Sequence, residues 1–329
     1  MSKYFATKCT CSFRNRFFEM PVCVGYNKNM KECLLYKKLK NGKVQCRTCN
    51  HCCVIENGQV GKCGVRQNKN GALFSLVYGQ PCAINIDPIE KKPLYHFLPG
   101  TKTLSIATVG CNFTCHACQN HQISQIGKGL GFTTFNKEIA PEKIVEMALG
   151  SKCPSISYTY TEPTVFLEYA FDIMKIAKQT GLKNIWVSNG FFSPQTFELI
   201  LPHLDAANID LKSFDDKFYQ KYCGGRLAPI LKNLKKLKQA PSTSSRQAVW
   251  LEVTTLVIPT LNDSPTIFEK IAEFIANDLG PEIPWHISRF SPEISWKLKH
   301  LPATPLATLE TAYEISQKYG LKNVHLGNV

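Results

Sequence analysis

Cys111, Cys115 and Cys118 stand in the run GCNFTCHACQN with the spacing Cys-x3-Cys-x2-Cys. Thiolates at these intervals on one tight loop can each take a different iron of a cubane cluster, a [4Fe-4S] centre that normally uses four cysteines. The fourth iron then lacks a protein ligand and stays open to an exchangeable chelator that carries an amine and a carboxylate. The rival chemistry is a zinc knuckle completed by His116 or His121 in a closed tetrahedral set. A loop directly after a strand is an unusual seat for such a knuckle, and both histidines read as ordinary loop residues.

A second group lies upstream, in CRTCNHCCVIENGQVGKC. Cys46, Cys49, Cys53 and Cys63 offer four thiols, with Cys52 and His51 as spares, and Gly58 and Gly61 supply turns that could bring Cys63 back to the others. Four thiolates suit zinc and an auxiliary Fe–S cluster equally well, so the spacing leaves the metal open. Its role could be structural, or a relay and contact for the substrate. The lone Cys82, Cys153 and Cys223 read as small buried apolar residues.

The chain has 329 residues, 44% hydrophobic and 19% charged. That is enough for one large α/β core and a smaller module. No apolar run approaches the roughly 18 residues needed to cross a bilayer, and no secretory signal is legible, so the expected compartment is the cytoplasm. Fifteen cysteines, most of them between Cys33 and Cys118, then point to metal ligation and not to a disulfide framework. The net charge of +14 would attract a nucleic acid, an acidic protein or an anionic substrate alike. Its densest run, LKNLKKLKQ at 231–239, sets Leu231, Leu234 and Leu237 against Lys232, Lys235 and Lys236, the pattern of a solvated helix face.

The elements that must position these groups follow from periodicity. Residues 1–29 are basic and without sustained period, a loosely ordered extension; 30–98 form a cysteine-rich, loop-rich module of the kind a metal ties together. From 99 to 329 strand-like runs alternate with helical segments. Strands are expected at 103–109, 155–160, 184–189, 206–211, 250–258, 284–288 and 323–327. Pro141, Pro163, Pro194 after Ser193, and Pro305 open helices, and Gly181 closes one. Strict alternation implies right-handed βαβ units and a parallel sheet, open or curved into a barrel. In parallel barrels chemistry gathers at the loops after the strands, where the first cysteine motif lies.

GCNFTCHACQN, followed in order by SYTYTEP (157–163), VSNGF (187–191), IDLKSF (209–214) and WHISRF (285–290), resembles the radical S-adenosylmethionine superfamily. The stretch 42–79 and the link DPIEKKPLYHFLPG (87–100) are similar, more narrowly, to the AmmeMemoRadiSam-system radical enzymes, relatives of the pyruvate formate-lyase-activating enzymes. The resemblance implies a partial (β/α)6 TIM-like barrel with S-adenosylmethionine across the C-terminal strand edges. Tyr160-Thr161-Glu162-Pro163 would meet the amino group of this cofactor, Ser188 and Asn189 its ribose, Asp210 and Lys212 its ribose and carboxylate, and His286 its nucleoside. Two departures stand out. Ala117 occupies a position where the family usually carries an aromatic that packs near the adenine, and no cysteine-containing tail follows Gly327-Asn328-Val329.

The activity implied is reductive cleavage of S-adenosylmethionine and abstraction of a hydrogen atom, on the activase model from a glycine of a protein or peptide. An external electron donor of the flavodoxin or ferredoxin type would be needed, and partner proteins of the Memo and AMMECR types are implied by the narrower subgroup. Two other readings compete: a radical enzyme that modifies RNA, supported by the charge, and a non-catalytic Fe–S or zinc scaffold, kept open by Ala117 and the missing tail.

Overall fold

The computed structural model describes residues 30–128, 138–240 and 249–329. The basic arm at 1–29 lies outside the described residues. All seven expected strands form, at Lys102–Ala107, Ser155–Tyr158, Lys183–Ser188, Ala206–Asp210, Trp250–Val257, Trp285–Arg289 and Val324–Gly327. They pair in sequence order and in parallel, so each helical crossover advances the chain by one strand. Central strands such as Ser155–Tyr158 are buried along their whole length, which is why their sequences run apolar or small instead of alternating.

An eighth strand, Ala83–Pro88, extends this sheet antiparallel beside Lys102–Ala107, with Ala83 opposite Ala107 and Pro88 opposite Lys102. It precedes residue 99, where composition alone begins the core. Ile86 is exposed and Pro88 cannot donate to a ladder, both typical of an edge.

The two faces of the sheet are filled differently. Trp186, Ala207, Ile209 and Val253 pack into the main core with the helices. Ile185 and Ala206 instead pack against Ile89 and Leu94, from the segment that returns between Ala83–Pro88 and Lys102–Ala107. That segment crosses the face: the Asn208 amide donates to Pro93 O, Glu252 accepts the Tyr95 and His96 amides, and the His96 and His325 Nε2 atoms lie 2.8 Å apart.

Helix signals act as expected. Pro141 starts Pro141–Gly150, and Ser193 Oγ accepts the Thr196 amide ahead of Pro194–Ile200. Glu162 caps the 3-10 turn Pro163–Phe166 that leads into Leu167–Gln179, after which Gly181 adopts φ +81°. In Leu227–Gln239 Leu234 and Leu237 are buried, Lys232 is exposed, and Lys235 pairs with Asp278 at 2.5 Å, so the lysine run is a surface face. No helix among the described residues is long and apolar enough to cross a membrane.

The cysteine-rich module consists of two three-stranded sheets around a small core of Cys33, Val44, Cys46, Ile55 and Leu73. It is riveted to the larger core by a buried ion pair. Arg66 donates to both oxygens of Glu168, at 3.1 and 2.7 Å, and Glu168 also accepts the Leu34 amide.

Burial holds four histidines below their ordinary range, and two of them, His203 and His325, stand apart from the cysteine loops. Burial lowers the pKa of His203, reinforced by Lys178 and Lys175, and burial lowers that of His325, reinforced by His286 and His96. The unfolded chain therefore binds these protons first, and stability falls as pH drops through about 6.5, the ordinary histidine value. A lower thermal midpoint at pH 5.5 than at pH 7.5, with a shallower fall in a His203→Asn/His325→Asn variant, is the expected result. An unchanged slope in that variant would refute the assignment.

Candidate active site at the strand ends

The cysteine loop leaves Lys102–Ala107 through Gly110, at φ +96°. A Cβ there would lie 2.6 Å from Val65 Cγ1 and 3.0 Å from Cys63 O, so only glycine lets the cysteine-rich module approach. Phe113, 1% exposed, anchors the middle of the loop among Phe191, Tyr219 and His51. With that side chain sunk in the core, the three cysteines are held around it at partly buried positions. Thr114 N donates to Cys223 O, His116 N to Tyr222 O, and Lys297 N to His116 O, which ties the loop to two later loops.

The surroundings of the three thiols differ. Burial pushes Cys111 and Cys118 up, and Cys118 Sγ lies 3.3 Å from Ser124 Oγ. Cys115 is held below the usual thiol range by a hydrogen bond from Cys223, with help from Lys212, and the same bond and burial push Cys223 up. Cys223 is buried, as expected of a lone cysteine, but its position beside Cys115 is a feature with no local signal in the sequence. Lys128 donates to Phe113 O and Gln125 Oε1 at 2.5 and 3.0 Å; burial lowers its pKa while the three thiols and Cys63 pull it up. Its ammonium is a positive charge beside the thiolate set.

Asn112, next to Cys111, is the hinge of the site. Its Oδ1 accepts from Asn189 Nδ2 at 2.7 Å and its carbonyl lies 2.9 Å from His51 Nε2. Its Nδ2 is buried with no hydrogen-bond partner among the described residues. Glu162, Ser188 and Asn189 converge with it. The buried Glu162 carboxylate accepts from Ser188 Oγ at 2.8 Å, Asn189 N at 2.9 Å, Thr164 N at 3.1 Å and Thr164 Oγ1. Three of these bonds fall on Oε1 and one on Oε2, so the carboxylate holds the 188–190 turn while Oε2 keeps room for a further donor. Burial raises its pKa against these bonds.

Asp210 and Lys212 extend from the next strand end. Lys212 Nζ donates to Asp210 at 2.7 Å and its amide to Tyr219 Oη at 2.8 Å. Although burial opposes it, Asp210, Cys115 and Cys223 hold the ammonium well above the ordinary lysine range, which sets the pair beside Cys115. His286 belongs to a separate network, with Nε2 2.6 Å from Glu252 and its ring against Tyr95 and His325. Ala117 packs against the core, and Trp296, from another loop, stacks on His121 with ring centroids 6.1 Å apart.

These residues fit a cluster better than a single ion. Among the described residues no three His, Cys, Asp or Glu side chains gather to hold one ion. His121 is stacked on Trp296 and His116 packs edge-on against Tyr222, away from the zinc role considered above. Three thiols on one loop, a nearby ammonium and an unpartnered buried amide suit an anionic polynuclear cluster with a polar ligand.

Comparison with known proteins agrees. The model of the Radical SAM superfamily matches residues 105–275. An uncharacterised protein of Methanocaldococcus jannaschii is 43% identical over 91% of this chain and 86% of its own length. The pyruvate formate-lyase-activating enzyme of Clostridium pasteurianum is 24% identical over 62% of this chain and 85% of its own. Among solved structures, Streptococcus suis SuiB bound to precursor peptide SuiA superposes with a TM-score of 0.51 at 14% identity, over 67% of this chain and 47% of that one.

Proposed function

We propose, on the premise that this chain belongs to the radical SAM superfamily, that it is an activase-like enzyme whose radical abstracts hydrogen from a glycine of a protein or peptide. Membership implies a [4Fe-4S] cluster and S-adenosylmethionine. When bound, they supply an electron to the sulfonium C–S bond and so release methionine and a carbon radical that can take a hydrogen atom.

The observation that carries the reading is the convergence of three loops. Cys111, Cys115 and Cys118 would hold three irons. Asn112 and Asn189, coupled through their amides, and Ser188, held by Glu162, would orient the ribose. Lys212 would pair with a carboxylate, and Asp210 keeps that ammonium charged and aimed. The activase assignment rests on relatives named as the pyruvate formate-lyase-activating enzyme and, at 29% identity over 37% of this chain, the (2S)-3-sulfopropanediol dehydratase activating enzyme of Klebsiella oxytoca. A flavodoxin- or ferredoxin-type donor and a Memo- or AMMECR-type partner complete the reading.

The test is anaerobic incubation of the reconstituted protein with dithionite, S-adenosylmethionine and glycine-containing peptides or partner proteins deuterated at glycine. Deuterium in 5′-deoxyadenosine is expected. Release of 5′-deoxyadenosine without deuterium from any glycine would remove the activase part, and no release would remove the whole. Asn189→Ala is expected to weaken S-adenosylmethionine binding about tenfold, the worth of a hydrogen bond near 1.4 kcal/mol, with iron content unchanged. Equilibrium dialysis reads the first and iron assay the second; unchanged affinity would take Asn189 out of the cofactor site.

A further inference from the structure

Cys46, Cys49, Cys53 and Cys63 line one cavity of about 20 Å³, with Asn112 also in its wall. The chain brings them together by specific bonds. Cys46 N donates to Cys53 O, Cys52 N closes a turn onto Cys49 O, and the Gly61–Arg66 turn returns Cys63. Cys52, the spare, is exposed at φ +47° and does not line the cavity. Arg66, Lys62 and Thr48 share the wall with Asn112, Thr164 and Val165.

Two further observations indicate what fills this space. Arg66 is 2% exposed; its two terminal nitrogens bind Glu168, but its Nε is buried with no partner. A buried N–H without an acceptor costs about 1–3 kcal/mol, so a wall residue that carries one favours an occupant able to accept it. The arrangement of the described thiols is not that of a one-ion site. Tetrahedral zinc, with bonds of about 2.3 Å, would draw four sulfurs to about 3.8 Å from each other. Among the described residues no three potential ligands gather in that way. Four thiols around one cavity, with the unpartnered Arg66 N–H and Lys62 in its wall, suit a cubane whose sulfides accept N–H bonds and whose negative charge needs a cation.

We propose that Cys46, Cys49, Cys53 and Cys63 bind a second, fully ligated [4Fe-4S] cluster, with Arg66 Nε donating to it. Having no open iron, this cluster cannot chelate S-adenosylmethionine. It borders the first site instead: the Cys46–Cys53 loop is docked on the 189–196 loop, with Asn50 N on Phe191 O and Ser193 N on Thr48 O, and His51 reaches Asn112 O.

The experiment is metal and sulfide analysis, with low-temperature electron paramagnetic resonance, on full-length protein reconstituted anaerobically with iron and sulfide. Cys111→Ala/Cys115→Ala/Cys118→Ala is expected to keep about four iron and four sulfide per chain and to give a reduced-cluster signal. Wild type is expected to hold about eight of each. Should the triple variant fail to fold, the wild-type count decides: about four iron with one zinc, or about four iron alone, overturns the proposal, as does a folded triple variant with zinc and no sulfide or with no metal. Wild type with eight iron and no 5′-deoxyadenosine would sink the proposed function but leave this cluster standing.

Discussion

In anaerobic assays with dithionite and S-adenosylmethionine, Cys115→Ala is expected to lower 5′-deoxyadenosine release on the order of a thousandfold or more, about 4 kcal/mol of lost barrier reduction. The reason is stoichiometric. Only three thiolates on the 111–118 loop are available for the cluster, and no neighbouring histidine substitutes, since His116 and His121 are turned to Tyr222 and Trp296. Cys223 is the control. It touches Cys115 from another loop, so Cys223→Ala should retain the iron and sulfide content and most of the turnover. Equal loss of iron in both variants would make Cys223 a fourth ligand and would remove the open iron on which the proposed chemistry depends.

Glu168→Ala is expected to destabilise the protein by about 3–5 kcal/mol, because it leaves the Arg66 guanidinium buried without its anion. The pair is bidentate, 2% and 1% exposed, and the removed carboxylate also strands the Leu34 amide. In a protein of this size the thermal midpoint should fall by about 4–7 °C. Thermal unfolding under anaerobic conditions measures it. Glu168→Gln, which keeps one acceptor oxygen but not the charge, should cost less. A loss below 1 kcal/mol for the alanine variant would show that the cysteine-rich module is not riveted through this pair.

Both predictions use contacts that differ in how visible they are from sequence. The 111–118 ligand set is local: three thiols within eight residues, placed by one strand before them, so spacing alone conveys the chemistry. The seven parallel strands are visible for a related reason. A strand buried on both faces must be apolar or small, as in Ser155–Tyr158, and the intervening helices announce themselves with Pro141, Ser193-Pro194 and Gly181. Ala83–Pro88 escaped this pattern because an antiparallel edge strand with an exposed Ile86 and a terminal proline resembles a link.

Residue types, spacing and period thus carry everything set within one turn, one strand or one loop: the three-cysteine cradle, the four upstream thiols, the positions of the strands and the solvated lysine face. What joins residues far apart in the chain had to come from the folded arrangement. Arg66 meets Glu168 across 102 positions and Asn189 meets Asn112 across 77, while Lys128 and Cys223 reach the thiols from other loops. Glu162 braces the turn at Ser188 and Asn189, and His286 is drawn into a network with Glu252. The physical reason is that right-handed crossovers stack successive strand ends on one edge, so side chains that meet there need no common period, and burial then decides which polar atoms are paired and which, like Asn112 Nδ2 and Arg66 Nε, are left without a partner.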